Sequence, residues 1–280
     1  MVTKKDVCET LKSLGVKNGD ILLFHSSLKS FGQTENGADT IIDGALEAVG
    51  EDGTLVAPTL LTKSFYVAYD IWDKNTSPCE VGLIPETMRK RPNALRSDQA
   101  THSVSAIGKM AEFLTNSHST SKPRKFPYGD YAFSHGSPWQ KMYDLNAKVV
   151  MMGAPYDTIT FRHFVEAIYS EKIIDGVKDE NVREQLRARL VTYDTITEYK
   201  DIVRQTGTPS STDLIRFQFG TKESQTLDPS ICKTAYCGSS LFTVFNCKDY
   251  VDGMLNDIEV NPEKYYSAHI VEFISKVKSL

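Results

Sequence analysis

The sequence predicts an α/β fold: one domain spanning residues 1–280, with a central mixed sheet flanked by helices. Three observations lead to this class. Short apolar runs such as Ile21–Phe24 and Lys148–Met152 stop at small or polar residues, as buried strands do. Segments with helical spacing lie between these runs, the order expected of a parallel or mixed sheet. No internal repeat, low-complexity tract or long linker divides the 280 residues.

The N-terminal part of the chain predicts alternating helices and strands. The first helix, Thr3–Leu14, opens with a capping pair in which Thr3 precedes the carboxylate of Asp6 by three positions. The elements predicted after it are the strand Ile21–Phe24, the helix Gly37–Val49, the strand Thr54–Pro58, the helix Gly82–Arg91, the strand Thr101–Gly108 and the helix Lys109–Leu114.

Two long segments are predicted to be irregular: the aromatic-rich Lys63–Pro78, and Asn116–Gly136, a surface loop or lid. The histidines predicted to lie on the surface are His118, His135 and His269. The elements predicted in the rest of the chain are the strand Lys148–Met152, a helix starting near Asp157, the helix Asp179–Arg189, the strands Leu190–Tyr193 and Leu241–Phe245, and the helices Asp249–Leu255 and Tyr265–Val277.

Composition excludes several classes of protein. The formal net charge is -4 and no basic stripe is present, which argues against a nucleic-acid partner. No apolar run approaches the ~20 residues of a membrane span, and the N-terminus lacks the apolar core of a signal peptide. The five cysteines form no CxxC pair and no zinc-binding pattern. We therefore expect a cytoplasmic protein with reduced thiols, no metal site and no membrane partner.

The stretch Val149–Glu166 carries the residues best suited to chemistry. An apolar strand ends at Gly153, and a helix then places His163 and Glu166 three residues apart, on one face. An imidazole oriented by a carboxylate makes a general base. We predict His163 as the base and either Asp157 or Glu166 as the orienting carboxylate. The alternatives are that Asp157 caps the helix, that Glu166 is solvated and that His163 is a buried core residue.

Four stretches, in order, resemble the aminoglycoside 3-N-acetyltransferase family. They are His25-Ser26-Ser27-Leu28; Glu47-Ala48-Val49-Gly50 with Asp52–Val56 and Pro58-Thr59; Val81–Thr87 with Arg96-Ser97 and Thr101–Val104; and Ser137-Pro138-Trp139 with Gly153–Glu166. The sequence departs from the family pattern at Gln99-Ala100 and at Arg162, and these departures concern the acceptor more than the donor.

The resemblance implies acetyl-CoA as cosubstrate and an amino group of an aminoglycoside or amino sugar as acceptor. It also implies a set of residues that bind the cosubstrate: His25, Ser26, Ser27, Leu28, Thr101, His102 and Ser103. One alternative acceptor is a nucleotide-linked amino sugar used for a surface polysaccharide. Another possibility is a non-catalytic protein that binds CoA or a different ligand. A covalent route through Cys79 is the competing mechanism.

Overall fold

The computed structural model describes residues 1–61, 68–190, 215 and 217–280. Seven strands form one sheet in the order β3-β4-β2-β1-β5-β7-β6. Their bounds are β1 Ile21–Ser26, β2 Thr54–Pro58, β3 Leu95–Arg96, β4 Val104–Gly108, β5 Lys148–Met152, β6 Lys233–Cys237 and β7 Ser240–Asn246. β1 runs parallel to both β2 and β5, and every other pairing is antiparallel. The mixed sheet and the α/β class are confirmed.

Helices cover both faces of this sheet. Their bounds are α1 Lys4–Ser13, α2 Ala38–Val49, α3 Ala68–Ile71, α4 Leu83–Arg89, α5 Ala111–Thr115, α6 Pro138–Asp144, α7 Phe161–Asp175, α8 Glu180–Ala188, α9 Cys247–Val260 and α10 Ala268–Lys278. The predicted capping box at Thr3 and Asp6 is present at the start of α1. Within the described part of the chain, no helix has the length and apolar character needed to cross a bilayer.

Strand side chains alternate between two hydrophobic cores, one on each face of the sheet. Leu23 of β1 and Val149 of β5 join the larger core, which contains residues of α5, α6, α7, α9 and α10. Leu22 and Val150, their neighbours in sequence, join the core formed with α1, α2 and α4. Because β1 and β5 are buried on both faces, their sequences are continuously apolar rather than alternating.

Several predicted boundaries differ from the observed ones. The strand predicted from Thr101 begins at Val104, because residues 100–102 form a turn and Ser103 is irregular. The helix predicted near Asp157 begins at Phe161, after a short 3-10 turn at Tyr156–Thr158. Tyr265 and Tyr266 are not helical and Ser267 is the N-cap residue, so α10 starts later than predicted. Of the predicted strand Leu190–Tyr193, only Leu190 lies within the described residues, where it bridges to Ile215.

The prediction that Asn116–Gly136 is irregular is confirmed, but its placement at the surface is wrong. Phe126 and Phe133 are buried in the larger core. His118 is also buried, at 1% exposed, between the hydroxyl of Ser97 and the carbonyl of Ala132. The polar composition of this segment suggested solvent exposure, although its aromatic residues attach it to the core. The predicted loop Lys63–Pro78 contains the short helix α3, and its residues 63–67 lie outside the described part.

Candidate active site

A cleft of about 310 Å³ opens where the three parallel strands end. The residues that follow β1, β2 and β5 meet at this edge because parallel strands place their carboxyl ends on the same side of the sheet. The cleft is lined by Phe24, His25, Ser26, Ser27, Pro58, Leu60, Val81, Pro85, His102, Tyr128, Ala154, Pro155, Asp157, Thr158, Ile159, Thr160 and His163. About half of these residues are polar, and most of the surface that they expose to the cleft is apolar.

The end of β1 contributes two polar atoms that have no partner among the described residues. These are Nε2 of His25 and Oγ of Ser26, both shielded from solvent. Burial lowers the pKa of His25 to about 4, so its imidazole is neutral near neutral pH. Buried polar groups normally have hydrogen-bond partners. These two atoms therefore suit a ligand that supplies hydrogen-bonding groups at this end of the cleft.

The turn after β5 depends on a glycine. Gly153 has φ +65, a conformation that is strained for residues with a side chain. A Cβ at this position would lie 2.0 Å from Oγ of Ser30 and 2.6 Å from Oγ of Ser240. Those two hydroxyls are themselves hydrogen-bonded, 2.7 Å apart. The close packing turns the chain sharply, so that residues 154–160 form one wall of the cleft.

Helix α7 supplies an imidazole held by a buried carboxylate. Nδ1 of His163 lies 2.8 Å from Oε2 of Glu166, one turn further along the helix. Glu166 is 0% exposed, and its Oε1 accepts a 2.7 Å hydrogen bond from the backbone N–H of Phe219. A carboxylate accepts only, so Nδ1 of His163 carries the hydrogen and Nε2 is left with the lone pair. The carboxylate thus fixes the orientation of the imidazole ring.

Aromatic rings enclose His163. Its ring centroid lies 5.2 Å from Tyr128, 5.9 Å from His102 and 6.1 Å from Phe126. Burial, and then the neighbouring His163, hold the pKa of His102 well below its usual value, so His102 is neutral. Two imidazoles therefore stand side by side in the cleft, one of them next to a carboxylate.

The structure brings six of the ten predicted site residues together in the cleft lining: His25, Ser26, Ser27, His102, Asp157 and His163. Glu166 stands directly behind His163. The other three lie outside the lining. Leu28 packs against the core, and the hydroxyls of Thr101 and Ser103 bond to the backbone carbonyls of Tyr128 and Thr59.

The two predicted carboxylates differ in their surroundings. The alternative that Glu166 is solvated is wrong, because its side chain is fully buried and hydrogen-bonded to His163. Asp157 is exposed, and within the described residues it makes no hydrogen bond or ion pair. It does not cap α7 either, because the N-cap position is Thr160. Asp157 instead places a negative charge at the cleft wall.

Cys79 is not arranged as a nucleophile. Its thiol is 8% exposed, contacts the carbonyl of Pro58 and lies outside the cleft lining. Burial raises its pKa to about 11, so the reactive thiolate does not form near neutral pH. These surroundings argue against the competing covalent mechanism through Cys79.

Sequence reasoning missed Tyr128 and the backbone donor of Phe219. Both come from segments that are far from α7 in sequence and lack regular structure, and only the fold brings them to His163. A partial signal for Tyr128 exists: Phe126 and Tyr128 are aromatic residues in an otherwise polar loop, a sign that the loop is anchored to a core.

The cleft at the strand ends and the His163–Glu166 pair define an α/β protein with a carboxylate-bound imidazole in the wall of a cleft. Residues 23–256 match the family model described as aminoglycoside 3-N-acetyltransferase. The chain belongs to this family. The resemblance predicted from the four motifs is confirmed.

Curated relatives agree with this assignment. Aminoglycoside N(3)-acetyltransferase III of Salmonella sp is 32% identical over 184 residues, covering 60% of this chain and 61% of the relative. Aminoglycoside N(3)-acetyltransferase VIII of Streptomyces fradiae is 30% identical over 183 residues, covering 59% and 61%. The match thus spans about three fifths of the length of these curated relatives.

Solved structures share the fold. The apoenzyme of aminoglycoside acetyltransferase AAC(3)-IVa superposes with TM-score 0.65 at 20% identity, covering 97% of this chain and 94% of that one. AAC-IIIb, described as a binary complex with CoASH, gives TM-score 0.62 at 20% identity and covers 92% and 97%. At this level of identity the likeness establishes the architecture, and the chemistry is argued from the site.

Proposed function

We propose that this chain is an acetyl-CoA-dependent N-acetyltransferase that acylates an amino group of an aminoglycoside or amino sugar, with His163 as general base. The observation that carries the proposal is the hydrogen bond between Nδ1 of His163 and the fully buried Glu166, inside the cleft. The family to which the chain belongs supports the same reaction. Acetyl-CoA supplies an activated acetyl group.

The cleft suits the arm of this cosubstrate. A pantetheine chain is mostly aliphatic with two amides, so it needs an apolar groove with a few hydrogen-bonding groups. Pro58, Leu60 and Val81 supply apolar surface, while His25 and Ser26 supply the polar atoms that have no partner among the described residues. The relative described as a binary complex with CoASH has the same fold.

His163 would take the proton from the attacking amine. An amine attacks only through its lone pair, and an ammonium group has none available, so a base close to the nitrogen assists the reaction. Nε2 of His163 accepts that proton while Glu166 holds the opposite ring nitrogen and stabilises the resulting imidazolium. A positioned base of this kind typically contributes around 10²–10⁴-fold.

Asp157 supports an amine-bearing acceptor. Its exposed carboxylate is the only acidic side chain among the described residues that line the cleft. A carboxylate at the wall attracts a cationic ligand. A mutant of AAC(3)-IVa, which shares the fold, is described in complex with a gentamicin and with apramycin.

The decisive experiment measures thiol release from acetyl-CoA across aminoglycosides, simple amino sugars and nucleotide-linked amino sugars. We expect turnover with the first two groups. His163→Ala should lower kcat strongly and leave CoA affinity nearly unchanged, whereas His269→Ala, at an exposed position of α10, should change neither. Binding of CoA without acetylation of any acceptor would contradict the enzymatic function, and full activity of His163→Ala would remove that residue from the mechanism.

We propose further that residues 1–280 act as one domain in the cytoplasm. One sheet carries both hydrophobic cores, which supports a single folding unit. All five cysteines are free thiols, a state typical of reducing compartments. Two-state unfolding followed by different probes tests the first statement, and cell fractionation tests the second.

A further inference from the structure

A chain of hydrogen bonds joins three segments at the wall of the cleft. Oε1 of Gln99 accepts from the backbone N–H groups of Thr101, at 2.9 Å, and of His102. Because Oε1 is fixed there, Nε2 must face Tyr69, and it donates to that hydroxyl at 2.7 Å. The hydroxyl of Tyr69 in turn donates to the backbone carbonyl of Tyr128 at 2.9 Å. One amide side chain thus ties together α3, the 99–102 turn and the loop of Tyr128.

The hydrogen bonds of Thr101 determine which ring nitrogen of His102 carries hydrogen. The hydroxyl of Thr101 has one hydrogen, and its shortest contact with an acceptor is 2.7 Å, to the carbonyl of Tyr128. Nδ1 of His102 lies 3.0 Å from that same hydroxyl oxygen. Since the hydrogen of Thr101 is already engaged, the oxygen accepts from Nδ1–H. His102 is therefore the Nδ1–H tautomer, with its acceptor nitrogen at Nε2.

We propose that Gln99 and Thr101 are positioning residues for the reaction. Gln99 holds Tyr128 against the ring of His163, and Thr101 holds His102 in the Nδ1–H form beside it. His102 and His163 lie 5.9 Å apart between centroids, with their planes at 80°. In this form the N–H of the His102 ring is bonded to Thr101 and is not offered to the base. The proposal rests on the proposed function and gives Thr101 a role other than binding the cosubstrate.

The first test reads the tautomer directly and requires no activity. Long-range ¹H–¹⁵N correlation spectra of the imidazoles show which ring nitrogen bears hydrogen, and single substitutions assign the six histidines. We expect hydrogen on Nδ1 of His102 in the native protein and in Thr101→Ser. In Thr101→Val we expect a shift toward the Nε2–H form. Hydrogen on Nε2 in the native protein, or an unchanged pattern in Thr101→Val, would overturn the proposal.

Thr115→Val provides a matched control, because Thr115 is also buried and its hydroxyl also bonds one backbone carbonyl, that of Ala111. It should leave the spectrum of His102 unchanged. If Thr101→Val fails to fold, the native protein and Thr101→Ser still report the tautomer.

The second test separates positioning from cosubstrate binding. We expect Thr101→Val to lower kcat about tenfold, the effect of one buried hydrogen bond, with the KM for acetyl-CoA unchanged. Thr101→Ser should retain kcat. A raised KM for acetyl-CoA at constant kcat would instead assign Thr101 to donor binding and contradict the proposal. If the native protein acetylates nothing, the proposed function fails, while the spectra still decide the tautomer.

Gln99 is tested by an isosteric change. In Gln99→Glu a carboxylate oxygen replaces Nε2, so the hydroxyl of Tyr69 must donate to it and releases the carbonyl of Tyr128. Tyr69→Phe breaks the same link. We expect each variant to lower kcat severalfold and the double variant to lower it no further, because both act through one carbonyl. Additive losses would contradict a shared path.

Discussion

Glu166→Gln should inactivate the site while the fold survives. The backbone N–H of Phe219 needs an acceptor at 2.7 Å, so the amide oxygen of the new side chain takes the place of Oε1. Its NH₂ group then replaces Oε2 and faces Nδ1 of His163 at 2.8 Å. Two donors cannot share that contact, and the ring must move its hydrogen to Nε2. The nitrogen proposed to accept the amine's proton is then blocked.

The size of this effect follows from the role of the pair. Loss of an oriented base costs around 10²–10⁴-fold in kcat, which corresponds to roughly 3–5 kcal/mol of transition-state stabilisation. The free energy of unfolding should fall by only about 1–2 kcal/mol, because both buried contacts are retained and a charged hydrogen bond becomes a neutral one. Steady-state thiol release measures the first quantity and denaturant unfolding the second. CoA affinity, measured by calorimetry, should not change.

Glu171→Gln is the matched control. Glu171 lies on the same helix, and its Oε1 is also 2.8 Å from an imidazole nitrogen, Nε2 of His135. It also bonds Arg124, and it lies outside the cleft lining. This variant should lose stability and keep kcat. Native kcat in a folded Glu166→Gln protein, or equal loss of kcat in both variants, would refute the assignment of His163 and Glu166.

Three further outcomes are expected. Gly153→Ala should lower the free energy of unfolding by about 2–5 kcal/mol, because it adds backbone strain and overpacks the turn. In the control Gly32→Ala, φ is +69 and the new Cβ would be 3.6 Å from its nearest neighbour, so this variant should show the strain alone. Chemical denaturation measures both free energies. Asp157→Asn should raise the KM of a polycationic acceptor about two- to fivefold and leave CoA affinity intact, as weak exposed charge pairs do; an unchanged KM at low salt would exclude Asp157 from acceptor binding. Burial lowers the pKa of His118 from 6.5 to about 4, so between these pH values the unfolded chain binds a proton that the folded chain does not. The free energy of unfolding should therefore fall as the pH drops from 6.5 to about 4. His118→Gln should reduce this pH dependence, and an unchanged slope would contradict its assignment to His118.

Local patterns were enough to predict much of the fold. Strands β1 and β5 are buried on both faces, so they appear in the sequence as uninterrupted apolar runs. The capping box of α1 depends only on residues three apart, Thr3 and Asp6. Helix α6 was missed, although Ser137 followed by Pro138 is a capping signal. In each case the information lies within one or two turns of the chain.

The sequence by itself determined that His163 and Glu166 share one face of a helix. Helical spacing places His163 and Glu166 on one face whatever surrounds them, and they are 2.8 Å apart. It also determined the break at Gly153, whose φ +65 suits a residue without a side chain.

Only the tertiary structure decided which carboxylate faces the imidazole from a buried position and what else surrounds it. Asp157 and Glu166 are both carboxylic acids near His163 in the sequence. In the structure Asp157 is exposed, whereas Glu166 is buried and bonded to the backbone N–H of Phe219, 53 residues away. The ties from Gln99 to Tyr69 and from Thr101 to Tyr128 likewise join segments about 30 residues apart. Burial and long-range hydrogen bonds depend on how distant segments pack, and local patterns in a single sequence do not encode that packing.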